Sequence, residues 1–262
     1  MKQASSHNLE LLIYDEVDST NDALRRMLAH EASGASATKA VMALAQTQGR
    51  GRLGRSWVSP PGGLYVSLAL ELPDTLQRTA ALSLIVSLAL QSELTELARA
   101  NASKDYQAIQ IKWPNDLVCE QGKLAGILIE LVSLPSGEKT AIVGVGVNIK
   151  YPGNGTECAP GAAYLSDFCQ QTPDLQQAAR QMITAIQDQY TAWKEADYDF
   201  APFKEDYLAN LSLIGQCVTV SNHRGEAIAE GTVKGIDNQG LLLLQGNDQL
   251  ISKVATGEVT LS

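Results

Sequence analysis

Residues 45 to 63 read AQTQGRGRLGRSWVSPPGG, and this stretch excludes one familiar nucleotide-binding architecture at once. Gly49-Arg50-Gly51-Arg52-Leu53-Gly54 fits the G-x-G-x-x-G pattern of a dinucleotide turn. That turn works only where a helix starts directly after it, because the helix N-terminus holds the pyrophosphate. Here the glycines run into Arg-Ser-Trp-Val-Ser-Pro-Pro-Gly-Gly. Two prolines and two further glycines cannot start that helix. A doubly wound dinucleotide fold is therefore not expected.

Besides a solvated surface loop, two uses remain for this segment. The first is contact with nucleic acid, for which arginines and Trp57 are suited. No Asp or Glu occurs between Glu31 and Glu71, while Lys39, Arg50, Arg52 and Arg55 do, a local positive island. The whole chain nonetheless carries a net charge of −9, which opposes bulk affinity for DNA or anionic membranes. The second use is closure over a small phosphorylated ligand. Glycines permit close backbone approach. Arginines are permanently charged, bidentate phosphate donors. Tryptophan adds a stacking face.

Periodicity organises the rest. Val17-Asp18-Ser19-Thr20-Asn21 leads into DALRRMLAHEAS, a helix with Leu24, Met27 and Leu28 on one face. KAVMALAQ and GLYVSLAL read as strands on either side of the arginine loop. A long helix is predicted from roughly Leu76 to Ala100, ending near NASKD. Its apolar run AALSLIVSLAL is too short to span a bilayer and reads as a buried helix. KTAIVGVGVNI is a strand with glycines where backbone must approach something closely. PDLQQAARQMITAIQDQYTAWKEA is an amphipathic helix and DFAPFKEDYLANLSL a shorter one. From Gly215 onward short strands and turns suggest a small β-barrel, with a boundary near residues 212 to 215.

A second cluster is IKWPNDLVCEQGKLAGILIE. Pro114 ends a strand, Asn115-Asp116 form a turn, and Gln121-Gly122 turn the chain back before Lys123. Asp116 and Lys123 would then lie on facing arms. Each also has a plain explanation: a turn-stabilising Asx side chain and a solubilising charge. Cys119, Cys158, Cys169 and Cys217 have neither C-x-x-C nor zinc spacing, and His7, His30 and His223 have no metal spacing. With no signal-peptide run in MKQASSHNLE, a cytoplasmic location is expected.

In this order and at these separations, GRGRLGRSW, KWPNDL…GKLAGIL and GVGVNI closely resemble the biotin–protein ligases. Ser19-Thr20-Asn21 upstream and GTVKGIDNQGLLLL…GEVTL downstream extend the resemblance over nearly the whole chain. It implies an α+β fold: a mixed-sheet catalytic domain with flanking helices, like a class II aminoacyl-tRNA synthetase, over residues 1–213. An SH3-like β-barrel would occupy 214–262. It also implies joining of biotin to ATP as biotinyl-5′-AMP, then transfer to one lysine of a carboxylase's carrier protein or domain.

Carried over by position, Ser19, Thr20, Asn21, Gln46, Gly49, Arg50, Gly51, Arg52 and Lys123 look like the biotin-binding set. Arg52, Arg55, Trp57, Lys112, Asn115 and Asn148 look like the ATP and adenylate set. Lys123, Arg52 and Asp116 look catalytic, and Asp116 stands where Mg²⁺ would be held. A carboxylate must attack the α-phosphate, so two anions meet, and positive charge at that point lowers the repulsion. Ser19 arrives after only eighteen residues, too few for a DNA-reading module, so a ligase that does not bind DNA is expected, as monomer or homodimer. Two alternatives stand beside it: a ligase for lipoate or octanoate, and a non-catalytic nucleic-acid-binding module.

Overall fold

The computed structural model describes residues 9–30, 38–72, 81–101, 108–135, 137, 139–153 and 158–262. The expected start of the long helix at Leu76 and most of the NASKD turn lie outside these residues, as does the end of the first helix beyond His30.

The architecture is mixed α+β. Strands β1 (Leu9–Val17), β2 (Thr38–Gln46), β3 (Leu64–Glu71), β4 (Gln110–Lys112), β5 (Asp116–Cys119), β6 (Gly122–Ser133) and β7 (Lys139–Val147) form one sheet in the order β1-β2-β3-β7-β6-β5-β4. Only β1 and β2 run parallel, joined through helix α1 (Thr20–Ala29); the other neighbours are antiparallel. Helices α2 (Leu82–Ala100), α3 (Leu175–Glu195) and α4 (Lys204–Ala209) complete this part.

Strand periodicity divides the sheet into two unlike faces. Ala40 and Met42 of β2, Leu64, Val66, Leu68 and Leu70 of β3, and Ala141, Val143, Val145 and Val147 of β7 join the main core with α2 and α3. The alternate residues meet α1. Leu24 and Leu28 pack with Val41 and Ile142 in a separate cluster. Leu24 is wholly buried, which stabilises the fold by roughly 1.5–3 kcal/mol relative to leaving it exposed. Helix α1 is ten residues long and covers only part of this face. Beyond it the alternate positions are Ser67 on β3, Gly144 and Gly146 on β7, and Gly126, Leu128 and Glu130 on β6. The register sets Ser67 and Leu128 beside Gly144, and Gly126 beside Gly146.

Strands β8 (Cys217–Ser221), β9 (Ala227–Ile236), β10 (Leu242–Gln245), β11 (Ile251–Val254) and β12 (Glu258–Leu261) form a second, antiparallel sheet in the order β11-β10-β9-β8-β12. Its interior is Val218, Val220, Val233, Ile236, Leu242, Leu244, Val254 and Val259. The β9–β10 turn docks on the first sheet: the buried Trp113 indole donates to Gly240 O at 3.2 Å. Gly240 has φ +81 and abuts Leu84, so a side chain there would be both strained and blocked. Among the described residues no helix is long and apolar enough to cross a membrane.

The edge strand β1 escaped the sequence reading. Its LELLIYDEV mixes acidic and apolar residues, and six of its nine residues are exposed, so no alternation marks it.

Candidate active site

The half-covered face carries a cavity of about 220 Å³. Residues from α1, the arginine loop, the β4–β5–β6 region, β7 and the second sheet line it. Of the predicted set, Ser19, Thr20, Asn21, Gln46, Arg50, Gly51, Arg52, Arg55, Trp57, Lys112, Asn115, Asp116 and Lys123 reach its wall.

Gly49 and Asn148 do not. Gly49 is a packing position, where a Cβ would strike Trp57 O and Ser59 Oγ. Asn148 stands behind β6, donating through Nδ2 to Lys123 O at 3.1 Å, and lines a small second cavity with Tyr65, Lys150 and Tyr164. Ala159 belongs to both cavities.

The arginine loop closes as a tight hairpin. Trp57 N donates to Gly49 O at 2.8 Å and Gly51 N to Arg55 O at 2.7 Å, around a 3-10 turn at Arg52–Gly54. The apex aims Arg52 into the cavity and Arg50 back toward α1. The loop then lays Trp57 on the bare backbone of Gly126 and Gly146. A Cβ at Gly146 would lie 2.6 Å from Trp57 Nε1, and one at Gly126 2.9 Å from the ring. Trp57 Nε1 is buried without a hydrogen-bond partner.

The inner end of the cavity is a polar chain. Gln46 Oε1 accepts from Thr20 N at 2.8 Å and from Thr20 Oγ1 at 3.1 Å. Gln46 Nε2 donates to Ser59 Oγ at 2.8 Å. The wholly buried Ser67 hydroxyl lies 2.8 Å from Thr20 Oγ1 and 2.6 Å from Asn21 Oδ1. Asn21 Nδ2 donates to Glu130 Oε2 at 2.7 Å. These side chains are held in place by one another, which suits recognition of a ligand with several polar atoms.

At the outer end, Lys123 Nζ lies 2.7 Å from Asp116 Oδ1 and 5.2 Å from the centre of the Trp57 ring. The ammonium is at ion-pair distance but not in hydrogen-bonding geometry, since Asp116 Oδ1 is buried with no hydrogen-bond partner. The hairpin expected from the sequence does bring these two residues together. The backbone of Lys123 is clamped as well: N donates to Gly161 O at 2.8 Å, and O accepts from Ala163 N at 2.9 Å. Arg52 donates to two neutral oxygens, Asn115 Oδ1 at 2.8 Å and Thr256 Oγ1 at 3.1 Å. Burial pulls its guanidinium below the usual arginine range, with Asp116 acting in the opposite direction. A partly buried cation whose hydrogen bonds go only to neutral oxygens keeps its charge available to an anion.

The positive island of the linear sequence does not form a positive patch. Arg50 pairs with Asp22 and Glu130, Arg55 with Glu258, and Lys39 with Glu10. Asp22 is held below the ordinary aspartate range chiefly by its bond from Arg50. Sequence reasoning missed Ser67, Glu130, Asp22, Thr256 and Glu258. Only Glu130 left a trace, as a carboxylate two and four positions after Leu128 and Gly126 on the same face of an apolar strand.

The donor set accommodates Mg²⁺. This ion is usually held by one or two carboxylates together with substrate phosphates. Asp116 supplies one buried carboxylate oxygen that lacks a hydrogen-bond partner. No group of three or more His, Cys, Asp or Glu that could cage a metal occurs among the described residues.

The model of the biotin/lipoate A/B protein ligase family matches residues 14–148, and that of the biotin protein ligase C terminal domain matches 213–262. A biotin–[acetyl-CoA-carboxylase] ligase of Paracoccus denitrificans is 32% identical over 231 residues, 87% of this chain and 91% of that protein. One of Mycobacterium tuberculosis is 30% identical over 248 residues, 94% of this chain and 87% of that protein. A biotin protein ligase from Aquifex aeolicus, solved in complex with biotin and ATP, superposes with a TM-score of 0.76 at 27% identity, covering 97% of this chain and 98% of that one. The matched region contains the arginine loop, the β4–β6 hairpins and the glycine floor, so sequence and fold agree on one assignment: the chain belongs to the biotin/lipoate A/B protein ligase family.

Proposed function

We propose that the chain is an ATP-dependent biotin–protein ligase. It activates biotin to biotinyl-5′-AMP, then transfers biotin to a lysine of a biotin carboxyl carrier protein or domain. The observation that carries this reading is the meeting of Lys123, Asp116 and Arg52 in one cavity wall, outside a polar inner pocket. Relatives named as biotin–[acetyl-CoA-carboxylase] ligases support it.

In the first step a biotin carboxylate oxygen attacks the α-phosphorus of ATP, and pyrophosphate leaves with the electron pair of the broken P–O bond. Two anions meet, and Lys123 and Arg52 place positive charge where they do. Once bound substrate displaces water from the cavity, each charge counts for more than in bulk solvent. Mg²⁺, held by Asp116 when bound, would add positive charge against the phosphate oxygens. In the second step the neutral amine of the acceptor lysine attacks the acyl carbon, AMP leaves, and the amine gives up a proton. Asp116, the wall carboxylate beside Lys123, would serve as its acceptor, since Glu258 is paired with Arg55. No protein nucleophile is required.

Ser19, Thr20, Asn21 and Gln46 form the biotin end, with Gly51, Arg52 and Lys123 over the carboxylate and Arg50 at the base of the arginine loop. Arg52, Arg55, Trp57, Lys112 and Asn115 serve the nucleotide, and Asn148 reads adenine from the adjoining cavity. The catalytic unit spans residues 1–213 and resembles a class II aminoacyl-tRNA synthetase, with an SH3-like barrel at 214–262. All these residues come from one chain, so a monomer suffices, and a homodimer is equally compatible. The cysteines, none in a disulfide, fit the cytoplasm.

Biotin is favoured over lipoate or octanoate because the inner end is polar. A dithiolane or alkyl chain would leave Thr20, Asn21 and Gln46 without ligand partners. A nucleic-acid role is disfavoured by the −9 charge and by the pairing of Arg50 and Arg55 to carboxylates. ATP–pyrophosphate exchange tests the reading: it should depend on biotin and not on lipoate. Exchange with lipoate alone, or thermal stabilisation by RNA and not by biotin, would overturn it.

A further inference from the structure

Glu130 stands at a crossing of two parts of the site that the sequence keeps 109 and 80 positions away from it. Its Oε2 accepts from Asn21 Nδ2 at 2.7 Å, at the inner wall. The same oxygen accepts from Arg50 Nη2 at 3.1 Å, at the base of the arginine loop. We propose that Glu130 is a positioning residue that ties the inner wall of the biotin pocket to the arginine loop, so that polarity and loop placement are set by one carboxylate. The proposal rests on the biotin reading above.

The first half of the argument concerns polarity. An ionised carboxylate only accepts hydrogen bonds, so it must face the NH₂ end of the Asn21 amide. That turns Asn21 Oδ1 toward Ser67, whose hydroxyl can donate to it. A Cβ on Gly144 would strike the Asn21 amide, so the amide is confined between strand backbone and its two partners. With the Ser67 proton drawn to Asn21, the 2.8 Å contact between the two hydroxyls is made by the Thr20 proton, Gln46 Oε1 still accepts from Thr20 N, and a lone pair of Thr20 Oγ1 remains to accept from a ligand N–H. A ureido ring presents such donors. The hydrogen-bonding polarity of the inner wall thus follows from a charge that does not touch the ligand.

The second half concerns the loop. Arg50 is bound between Asp22 of α1 and Glu130 of β6, and Arg25 closes the same ring, at 2.6 Å from Asp22 and 3.3 Å from Glu130. Two arginines face two carboxylates, and the group is neutral. Arg50 is consequently a strut that fixes where the loop leaves β2, and Arg52 is the loop guanidinium left for phosphate.

The test is a double-mutant cycle on biotin affinity, measured by calorimetry with the full chain, with melting temperatures alongside. Glu130→Gln keeps the shape but offers an amide that can donate as well as accept. It should weaken biotin binding by about tenfold, the equivalent of losing roughly 1.4 kcal/mol of a charged hydrogen bond. Arg50→Met should weaken it too, and the double variant should be no weaker than the worse single one. Arg25→Met removes charge from the same ring but leaves the Asn21–Glu130 and Arg50–Glu130 bonds in place, so its loss should be clearly smaller than that of Arg50→Met. Additive losses, wild-type affinity in Glu130→Gln, or equal losses in Arg25→Met and Arg50→Met would overturn the proposal. Should Glu130→Gln fail to fold, the comparison of Arg25→Met with Arg50→Met decides. A wild-type chain that does not bind biotin at all would instead overturn the biotin reading.

Discussion

Arg55 and Glu258 stand 203 positions apart in the sequence and form an ion pair of 2.5 Å that joins the arginine loop to β12. Thr256, two residues before Glu258, accepts from Arg52 of the same loop. The second sheet therefore forms part of the site's wall, and the loop is held from both sides.

Both partners of that pair are largely exposed, so Glu258→Gln should lower stability by less than about 1 kcal/mol. Its effect should appear in the loop instead. Trypsin should cut after Arg50, Arg52 or Arg55 faster in the variant than in wild type, at equal melting temperature. Identical cleavage rates would remove the latch from the account.

Lys123→Gln separates chemistry from folding. Lys123 stands beside the β5–β6 turn with its side chain partly exposed, so the change in stability should be about 0.5 kcal/mol or less. Biotin-dependent ATP–pyrophosphate exchange should slow by about 10²–10³-fold, the usual loss for one preorganised donor. Near-normal exchange in a folded variant would cancel the catalytic role of Lys123.

Gly146→Ala probes the seat of Trp57. The backbone at Gly146 does not need a positive φ, so alanine is acceptable to the strand itself. Its methyl group would meet the indole at 2.6 Å, and the indole must lift. Tryptophan emission should shift to the red and ATP should bind more weakly, while biotin affinity changes less. An unshifted spectrum would show that the indole does not rest there in solution.

Asp18 gives the stability curve an acid limb. Its carboxylate takes two bonds from Arg26 and one from Ser19 N, and its pKa is held at about 2, chiefly by Arg26. A lowered folded value means the native state binds fewer protons than the unfolded one. The stabilisation is complete above the ordinary aspartate value of about 3.9 and is lost as pH falls through 2. In urea titrations between pH 5 and 2, Asp18→Asn should lose less stability than wild type. Parallel curves would contradict the assignment.

How much of this was legible in the sequence depends on whether a signal was local. KAVMALAQ, GLYVSLAL and the glycines of GVGVNI announced strands and a close approach, and all three hold. The Asp116–Lys123 hairpin was readable because turn residues sit between its arms. β1 was not readable, because an exposed edge strand has no buried face to impose alternation. The arginines were counted as a positive island because their partners, Asp22, Glu130 and Glu258, are distant along the chain and near only after the sheets form. Ser67 in YVSLAL looked like any strand serine, since its value lies in the Thr20 and Asn21 atoms beside it. The sequence reading also placed Gly49 and Asn148 at the ligand; neither lines the main cavity, Gly49 being a packing position and Asn148 facing the adjoining cavity behind Lys123.

Gly126 and Gly146 face each other across two strands, so the floor under Trp57 consists of peptide groups alone. A surface without side chains cannot be remodelled by exchanging them, because any replacement only adds bulk. Adjustment of this site by substitution is then left to the arginine loop above, while the floor sets how closely the indole can approach the sheet.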